Sequence, residues 1–314
     1  MDIMPQVHRK GKFYPLLSCK ALAVEGIAPH HRRRRIEDRR HPHSHSVGAQ
    51  RVQQTRACAQ AKWPTTGSPD GSVTYDYDPL YRLITATYST SEVYTYTYDQ
   101  VGNRLAMGAE GEVVTYTYDV ANRLTKVGDV GYDWDDNGNL LDNGVFSYTY
   151  NYANRLVRVE DVTTTVVYTY NGDGHRMAKA EDSETTTYTV AVLGLSQVLV
   201  ETRDGESIVY LYGHDLLAEE GDAWQWHLGD GLGSVRQLVD GDGNGALAQG
   251  YTPFGVPMWD EGNGATGYGF TGERWEAYTE LLFLRARYYE PGTGRFLTRD
   301  PVSRNHPYLY TGGN

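Results

Sequence analysis

The chain has 314 residues, carries 40 Asp and Glu against 29 Lys and Arg for a net charge of −11, and contains 26 Tyr but only two Cys. An acidic, Thr- and Tyr-rich composition favours sheet over helix. No stretch approaches the roughly 18 apolar residues of a helical membrane span, and both cysteines, Cys19 and Cys58, fall in the first 65 residues, so the rest has no disulfide or thiol chemistry.

The charge divides unevenly. Residues 1–65 hold a net +9 and six of the ten His, whereas residues 66–314 hold −20 and all but one of the Tyr. The first segment, with Arg32, Arg33, Arg34, Arg35, Arg39, Arg40 and the His30, His31, His41, His43, His45 series, invites reading as a nucleic-acid arm or a metal-binding His tract. It has no periodicity and no groove-reading motif, and its His lack supporting Cys or carboxylates. Residues 1–65 are therefore expected to be a basic, disordered or non-native leader, an artefact of start-site or frame assignment. No peptide from it should then appear in the native product. Leu16-Leu17-Ser18-Cys19 looks like a lipid-attachment box, but its apolar run is too short, and the chain shows no convincing signal peptide. A Pro- and Gly-bearing stretch at residues 63–71 marks the junction.

From residue 66 to about 190 one short phrase recurs. The copies are YDYDPLYRL from Tyr75, YTYDQVGNRL from Tyr96, YTYDVANRL from Tyr116, YDWDDNGNL from Tyr132, YTYNYANRL from Tyr148 and YTYNGDGHRM from Tyr168. A repeat of about twenty residues implies an array of small stacked units. Alternation places Tyr94, Tyr96 and Tyr98 on one face of a strand and Val93, Thr95 and Thr97 on the other. Stacked copies are expected to bring the rings together as cross-strand neighbours. The Asp, Asn and Gly that follow are turn residues, with Gly102, Gly138, Gly172 and Gly174 suited to positive φ, and the next strand starts at Arg-Leu. An Asp or Asn precedes an Arg by four or five positions in five copies (Asp78 and Arg82, Asp99 and Arg104, Asp119 and Arg123, Asn151 and Arg155, Asn171 and Arg176), which predicts a turn-closing ion pair or hydrogen bond repeated along the array.

Two segments, from Asp133 and from Asp240, reproduce the first half of a calcium-binding loop, but Gly144 and Tyr251 stand where a bidentate Glu is needed, so both read as hairpin turns. The glycines Gly229, Gly231 and Gly233 lack the spacing and following Lys of a phosphate cradle and read as a tight turn. Neither a metal nor any other cofactor is expected. Residues 275–284 have a helical look, yet 281–289 reads equally as one buried strand. In that strand Arg285, Arg287 and Tyr289 share a face, and the arginines seek carboxylates such as Glu273 or Glu276.

The six phrases resemble the YD repeats of bacterial RHS proteins, and residues 191–314 resemble their RHS repeat-associated core domain. The match runs through His227-Leu228-Gly229, Gly233-Ser234-Val235-Arg236, Tyr251-Thr252-Pro253-Phe254-Gly255, Phe270-Thr271-Gly272-Glu273, the run from Leu284 to Tyr289, Gly294-Arg295-Phe296 and Asp300-Pro301. The resemblance implies an all-β hairpin ribbon forming part of a spiral shell, with the core region plugging it. It also implies a secreted or cell-surface setting, and as partners the remaining shell repeats and an enclosed C-terminal toxin. Six copies are too few for a whole shell, and the end at Asn314, which resembles a passage that ordinarily continues into cargo, gives the expectation of a fragment without payload. Some relatives cleave themselves with an aspartyl-protease-like core. The matching candidates here are Asp300 and Glu290, but Glu290 stands where Asp is usual and Val302-Ser303 where Gly is expected, so no catalytic site is assigned. A rival reading is a carbohydrate-binding surface module that stacks sugars on Trp224 and Trp226, with cell-surface glycans as partners.

Overall fold

The computed structural model describes residues 54–56, 73–192, 194–302 and 306–310. The leader readings, the lipid-attachment box and the 63–71 junction lie outside these residues, apart from the strand Gln54–Arg56, which pairs antiparallel with Val73–Tyr77. Among the described residues there is no α-helix, only strands and one 3-10 turn at Phe270–Gly272. The expected all-β ribbon is what the chain forms.

Two large antiparallel sheets follow the chain without crossovers. An eight-stranded sheet runs from Gln54–Arg56 to Val130–Gly131, and a fourteen-stranded sheet from Asp133–Trp134 to Pro257–Gly262, every strand pairing with its neighbours in sequence. The second sheet continues through residue 190, because Thr186–Ala191 pairs with Gln197–Arg203 on both sides of a register shift between Thr189 and Val190. The architecture changes only after Gly262, where the chain builds a separate four-stranded sheet of Arg274–Glu276, Leu281–Leu284, Arg287–Glu290 and Arg295–Phe296.

Each repeat phrase ends a strand, makes a turn and starts the next. At the first, the Asp78 amide donates to the Arg82 carbonyl and the Tyr81 amide to the Asp78 carbonyl, while Asp78 Oδ1 accepts from the amides of Leu80 and Arg82. The residue three after the Asp lies in the left-handed region, which a type I turn with a following bulge requires. Tyr81, Gly102, Asn122, Gly138, Asn154 and Gly174 hold that position in the six copies. Gly172, expected to share it, does not, because it falls one place after Asn171 rather than three. The same turn recurs at Asp230 and Asp240, with Gly233 and Gly243 left-handed, so the calcium-loop and glycine-cluster segments are hairpin turns as read. Among the described residues no group of three or more His, Cys, Asp or Glu could hold a metal ion.

Alternation behaves as the sequence predicts. Tyr96, Tyr116, Tyr148, Tyr168, Tyr188 and Tyr210 form a buried series on one face, while Val93, Thr95 and Thr97 are exposed on the other. Among the described residues, the buried rings from Tyr96 to Tyr210 do not stack on one another from copy to copy as expected. Each Tyr-bearing strand is followed by the strand that leaves the turn, so successive ring strands lie two strands, roughly 9–10 Å, apart. The rings meet residues distant in sequence instead: Tyr96 meets Phe254, in the turn between the last two ribbon strands, at 5.0 Å, and Tyr168 meets Tyr288 of the four-stranded sheet at 5.1 Å between centroids. The last ring bonds backward in four phrases, with Tyr98 Oη donating to the Leu83 carbonyl, Tyr118 Oη to Arg104, Trp134 Nε1 to Leu124 and Tyr170 Oη to Leu156, whereas Tyr150 Oη is buried without a hydrogen-bond partner.

The run 281–289 is not one strand. A tight turn at Arg285 (φ 57°) and Ala286 separates two strands, with Leu284 opposite Arg287. Arg285 thus leaves the sheet face expected for it, and its Nη1 reaches Glu273 at 2.8 Å.

Candidate functional site

The feature that organises the chemistry of this chain is its buried face, where the four-stranded sheet and the residues after it fill the ribbon. The core joins Leu140, Tyr148, Leu156, Val159, Val166 and Tyr168 of the ribbon to Leu281, Tyr288 and Leu297. The Leu140 amide donates to the Leu297 carbonyl, Asn139 bridges Thr298, and Tyr308 Oη donates to the Gly138 carbonyl. Gly138 is required there twice over: φ is +84°, and a Cβ would come within 2.6 Å of Tyr308 Oη.

Along one rim, the residue four after each Asp clasps its own turn and also reaches the next. Arg82 Nε donates to Asp78 Oδ2 at 2.6 Å and its Nη1 to the Asp99 carbonyl at 2.6 Å. Asn103 Nδ2 donates to Asp99 Oδ2 and Asn122 Oδ1, Arg123 reaches Asp119 and the Asp135 carbonyl, and Asn139 Nδ2 donates to Asp135 Oδ2 and Asn154 Oδ1. The predicted turn-closing pair therefore forms through side chains at Asp78–Arg82 and Asp119–Arg123, while Asn151 accepts from the Arg155 amide at 3.1 Å.

It does not form at Asp99–Arg104 or Asn171–Arg176. Those two phrases carry one extra residue before the Arg, and a one-residue slip along a strand reverses the face. Arg104 and Arg176 take the inward slot that Leu83, Leu124, Leu140 and Leu156 fill elsewhere. Arg104 lies 5.0 Å from the Tyr96 ring centroid and 5.6 Å from that of Tyr116, and Arg176 lies 5.3 Å from Tyr168 and 5.0 Å from Tyr188. Guanidinium groups thus occupy the gap between ring strands, attracted by the ring faces.

Arg176 belongs to a buried ionic cluster that sequence reasoning did not find. Its Nη1 lies 2.5 Å from Glu276 Oε1, Lys179 Nζ lies 3.3 Å from Glu276 Oε2, and Arg274 Nη2 lies 2.5 Å from Glu201 Oε2. Burial by itself raises the Glu276 carboxyl, but Arg176, Lys179 and Arg274 hold it below the ordinary carboxylate range. The extra turn residue before Arg176 was the available signal. Nothing local in the sequence indicates Glu201 or Lys179.

A second buried centre is Asn103, whose Oδ1 accepts from Arg295 Nη1 at 3.2 Å and lies 2.7 Å from His306 Nε2. Burial and the neighbouring Arg295 charge lower His306 to about 4, so its ring is neutral and donates to Asn103. Burial lowers Arg295 to about 10.

Glu290 and Asp300 keep different partners. Glu290 is buried, accepting from Asn143 Nδ2 at 2.9 Å and Thr293 Oγ1 at 2.6 Å, and burial raises its pKa despite those bonds. Asp300 Oδ2 accepts from Arg287 Nη2 at 3.0 Å and its Oδ1 from the Val302 amide. Arg287 and Glu290 are three apart on one strand and so face opposite sides. Trp224 and Trp226 lie on the outer face, beside Glu220 and Ala218 of the preceding strand, with Trp226 42% exposed and Trp224 half-buried.

A hairpin ribbon closed on its own C-terminal segment, with side chains spent on clasps and buried pairs, defines a repeat-built structural shell. The model of the teneurin YD-shell family matches residues 49–307. The chain belongs to that family. Among curated proteins it is similar to the tRNA3(Ser)-specific nuclease WapA of Bacillus spizizenii, 32% identical over 72% of this chain and 10% of that protein. It is also similar to teneurin-4 of Homo sapiens, 26% identical over 72% of this chain and 9% of that protein. The chain thus spans about a tenth of the length of these relatives. A crystal structure of TcdB2-TccC3-Cdc42 aligns at 17% identity with a TM-score of 0.44, over 78% of this chain and 18% of that one.

Proposed function

We propose that this chain is a non-enzymatic wall segment of a secreted or cell-surface protein of the bacterial polymorphic-toxin type, pairing with further shell repeats that enclose a C-terminal toxin. The observation that carries this reading is the filled inner face. The ribbon spends Tyr168 and Arg176 on contacts with the four-stranded sheet and Arg104 on the Gly292 carbonyl, while Tyr96 packs on Phe254 in the turn between the last two ribbon strands, and Glu290 and Asp300 are engaged by separate groups. Two curated relatives are named as tRNA nucleases, and each matches this chain over about a tenth of its length. Among the described residues no helix is long and apolar enough to cross a membrane.

The test is a chimera in which this chain replaces the matching stretch of the Bacillus subtilis tRNA nuclease WapA, 31% identical over 241 residues. Retained folding and resistance to limited proteolysis are expected, and the purified chain alone should leave tRNA uncut. A chimera degraded where the parent is stable, or tRNA cleavage by the isolated chain, overturns the proposal. The carbohydrate reading rests on Trp226, the more exposed of the two indoles. It predicts glycan-array binding that Trp226→Ala abolishes.

A further inference from the structure

The outer face of the fourteen-stranded sheet carries almost no charge, although the chain has a net charge of −11. Across the ten strands from Thr165–Tyr170 to Pro257–Gly262, the paired outward positions are Thr, Ser, Val, Ala, Leu, Gln, Gly and Trp, and among the described residues only Glu220 and Glu261 are charged there. Exposed acids stand at the hairpin ends instead, Asp182, Asp204 and Asp222 among them. Near the middle of the face Val209, Leu211, Trp226 and Leu228 form an exposed apolar patch.

Two indoles lie on this face over small residues. Trp226 pairs with Ala218, which points outward and is nevertheless fully buried, because Trp226 and Leu211 flank it on the neighbouring strands. Trp259 pairs with Gly250, where a Cβ would come within 2.3 Å of the indole Nε1, so the ring lies across the strand and any side chain beneath it is excluded. Three strands and about four residues separate the two rings, on the order of 20 Å. The line between them crosses Gln237 and Ala248. An exposed apolar patch with a polar surround marks a binding surface, and its flatness and lack of charge select the occupant. A second copy of the chain would bury the hydroxyls of Thr185, Thr187 and Thr189 against like groups, at a cost for each one left unpaired. An anionic polymer would meet no cation here, and a basic protein would be drawn to the acids at the hairpin ends.

We infer that this face binds a neutral, flat, β-linked polysaccharide of the cellulose or chitin type. The apolar faces of its sugars stack on Trp226 and Trp259, and its hydroxyls exchange hydrogen bonds with Gln237 and the threonines. The inference rests on the carbohydrate reading and names its ligand class, while the shell reading, which concerns the inner face, does not depend on it.

Co-sedimentation of the full chain with microcrystalline cellulose and with chitin, and calorimetric titration with the hexasaccharide and disaccharide of each, test the assignment. Binding to at least one polymer is expected, and its hexasaccharide, long enough to reach both indoles, should bind at least about tenfold tighter than its disaccharide. Trp226→Ala and Trp259→Ala should each weaken hexasaccharide binding at least about tenfold. Trp226→Phe, which keeps a ring over Ala218, should recover part of the loss, and Val113→Ser, on the eight-stranded sheet, should change nothing. Binding to neither polymer, equal affinity for short and long sugars, or undiminished binding in Trp226→Ala would each overturn the proposal. Glycan-array binding confined to charged glycans and lost in Trp226→Ala would overturn it while leaving the carbohydrate reading standing. A dimer that Trp226→Ala breaks, without polymer binding, would assign the face to a second copy instead.

Discussion

At the scale of single residues, the turn places one demand on its fourth position and the sequence meets it unevenly. Glycine or asparagine occupies the left-handed site in five copies, but Tyr81 does so in the first at φ 61°, with 70% of its surface exposed. A large L side chain there is strained and gains little burial in return. Tyr81→Asn, copying Asn122 and Asn154, should stabilise the chain by about 0.5–1 kcal/mol, read as a higher denaturant midpoint at unchanged slope. His306 gives the acid limb. Its folded value of about 4 is below the ~6.5 of an unfolded histidine, so the unfolded state binds the proton first, and stability is lost as pH falls from about 6.5 toward 4. Replacement by Gln, which can still donate to Asn103, should flatten that segment of the stability–pH curve. An unchanged slope in denaturation series between pH 4.5 and 7.5 would contradict the assignment. Glu290 runs the other way: burial raises its folded pKa, so its contribution weakens as pH rises past the unfolded value, and Glu290→Gln should leave neutral-pH stability equal or higher.

At the scale of elements, the ionic cluster binds the four-stranded sheet to the ribbon, because Glu276 comes from the former and Arg176 and Lys179 from the latter. Removing one member strands the others in a low-dielectric site, a loss of about 3–5 kcal/mol. Glu276→Gln should therefore unfold far more easily than Arg158→Gln, whose partner Glu160 is on an exposed stretch; comparable midpoints for the two variants would show that the cluster contributes little. The same elements show what the sequence made legible. The ribbon hairpins could be read because ring alternation and a turn with Asp, Asn or Gly act within ten residues. Arg104 and Arg176, expected to close their turns, point inward instead, because the position four after the Asp or Asn is the constant one and the extra turn residue moves the Arg one place beyond it. The Leu281–Leu284 and Arg287–Glu290 hairpin was hidden because its turn, Arg285-Ala286, contains none of the usual turn residues and the flanking apolar run is continuous. Partners such as Glu201 with Arg274, 73 positions apart, are set by how the C-terminal sheet docks, which no local pattern encodes.

For the whole molecule, the consequence is that ribbon and plug depend on each other. The strands up to Pro257–Gly262 follow one another with local pairing, so hairpins can form in sequence at small loop-closure cost. Their inner face nevertheless carries buried tyrosines and cations whose partners come from residues 268–310. A chain ending after residue 263 would keep the turns and clasps but expose those rings and leave Arg176 and Lys179 without Glu276. It should bind a hydrophobic dye, lose a single sharp unfolding transition and associate at micromolar concentration. Adding residues 264–314 as a separate peptide should restore a cooperative transition, because the missing contacts are non-covalent. If the shortened chain instead melts in one step at the midpoint of the full chain, the ribbon is self-sufficient and the C-terminal segment is cargo-like filling rather than part of the wall.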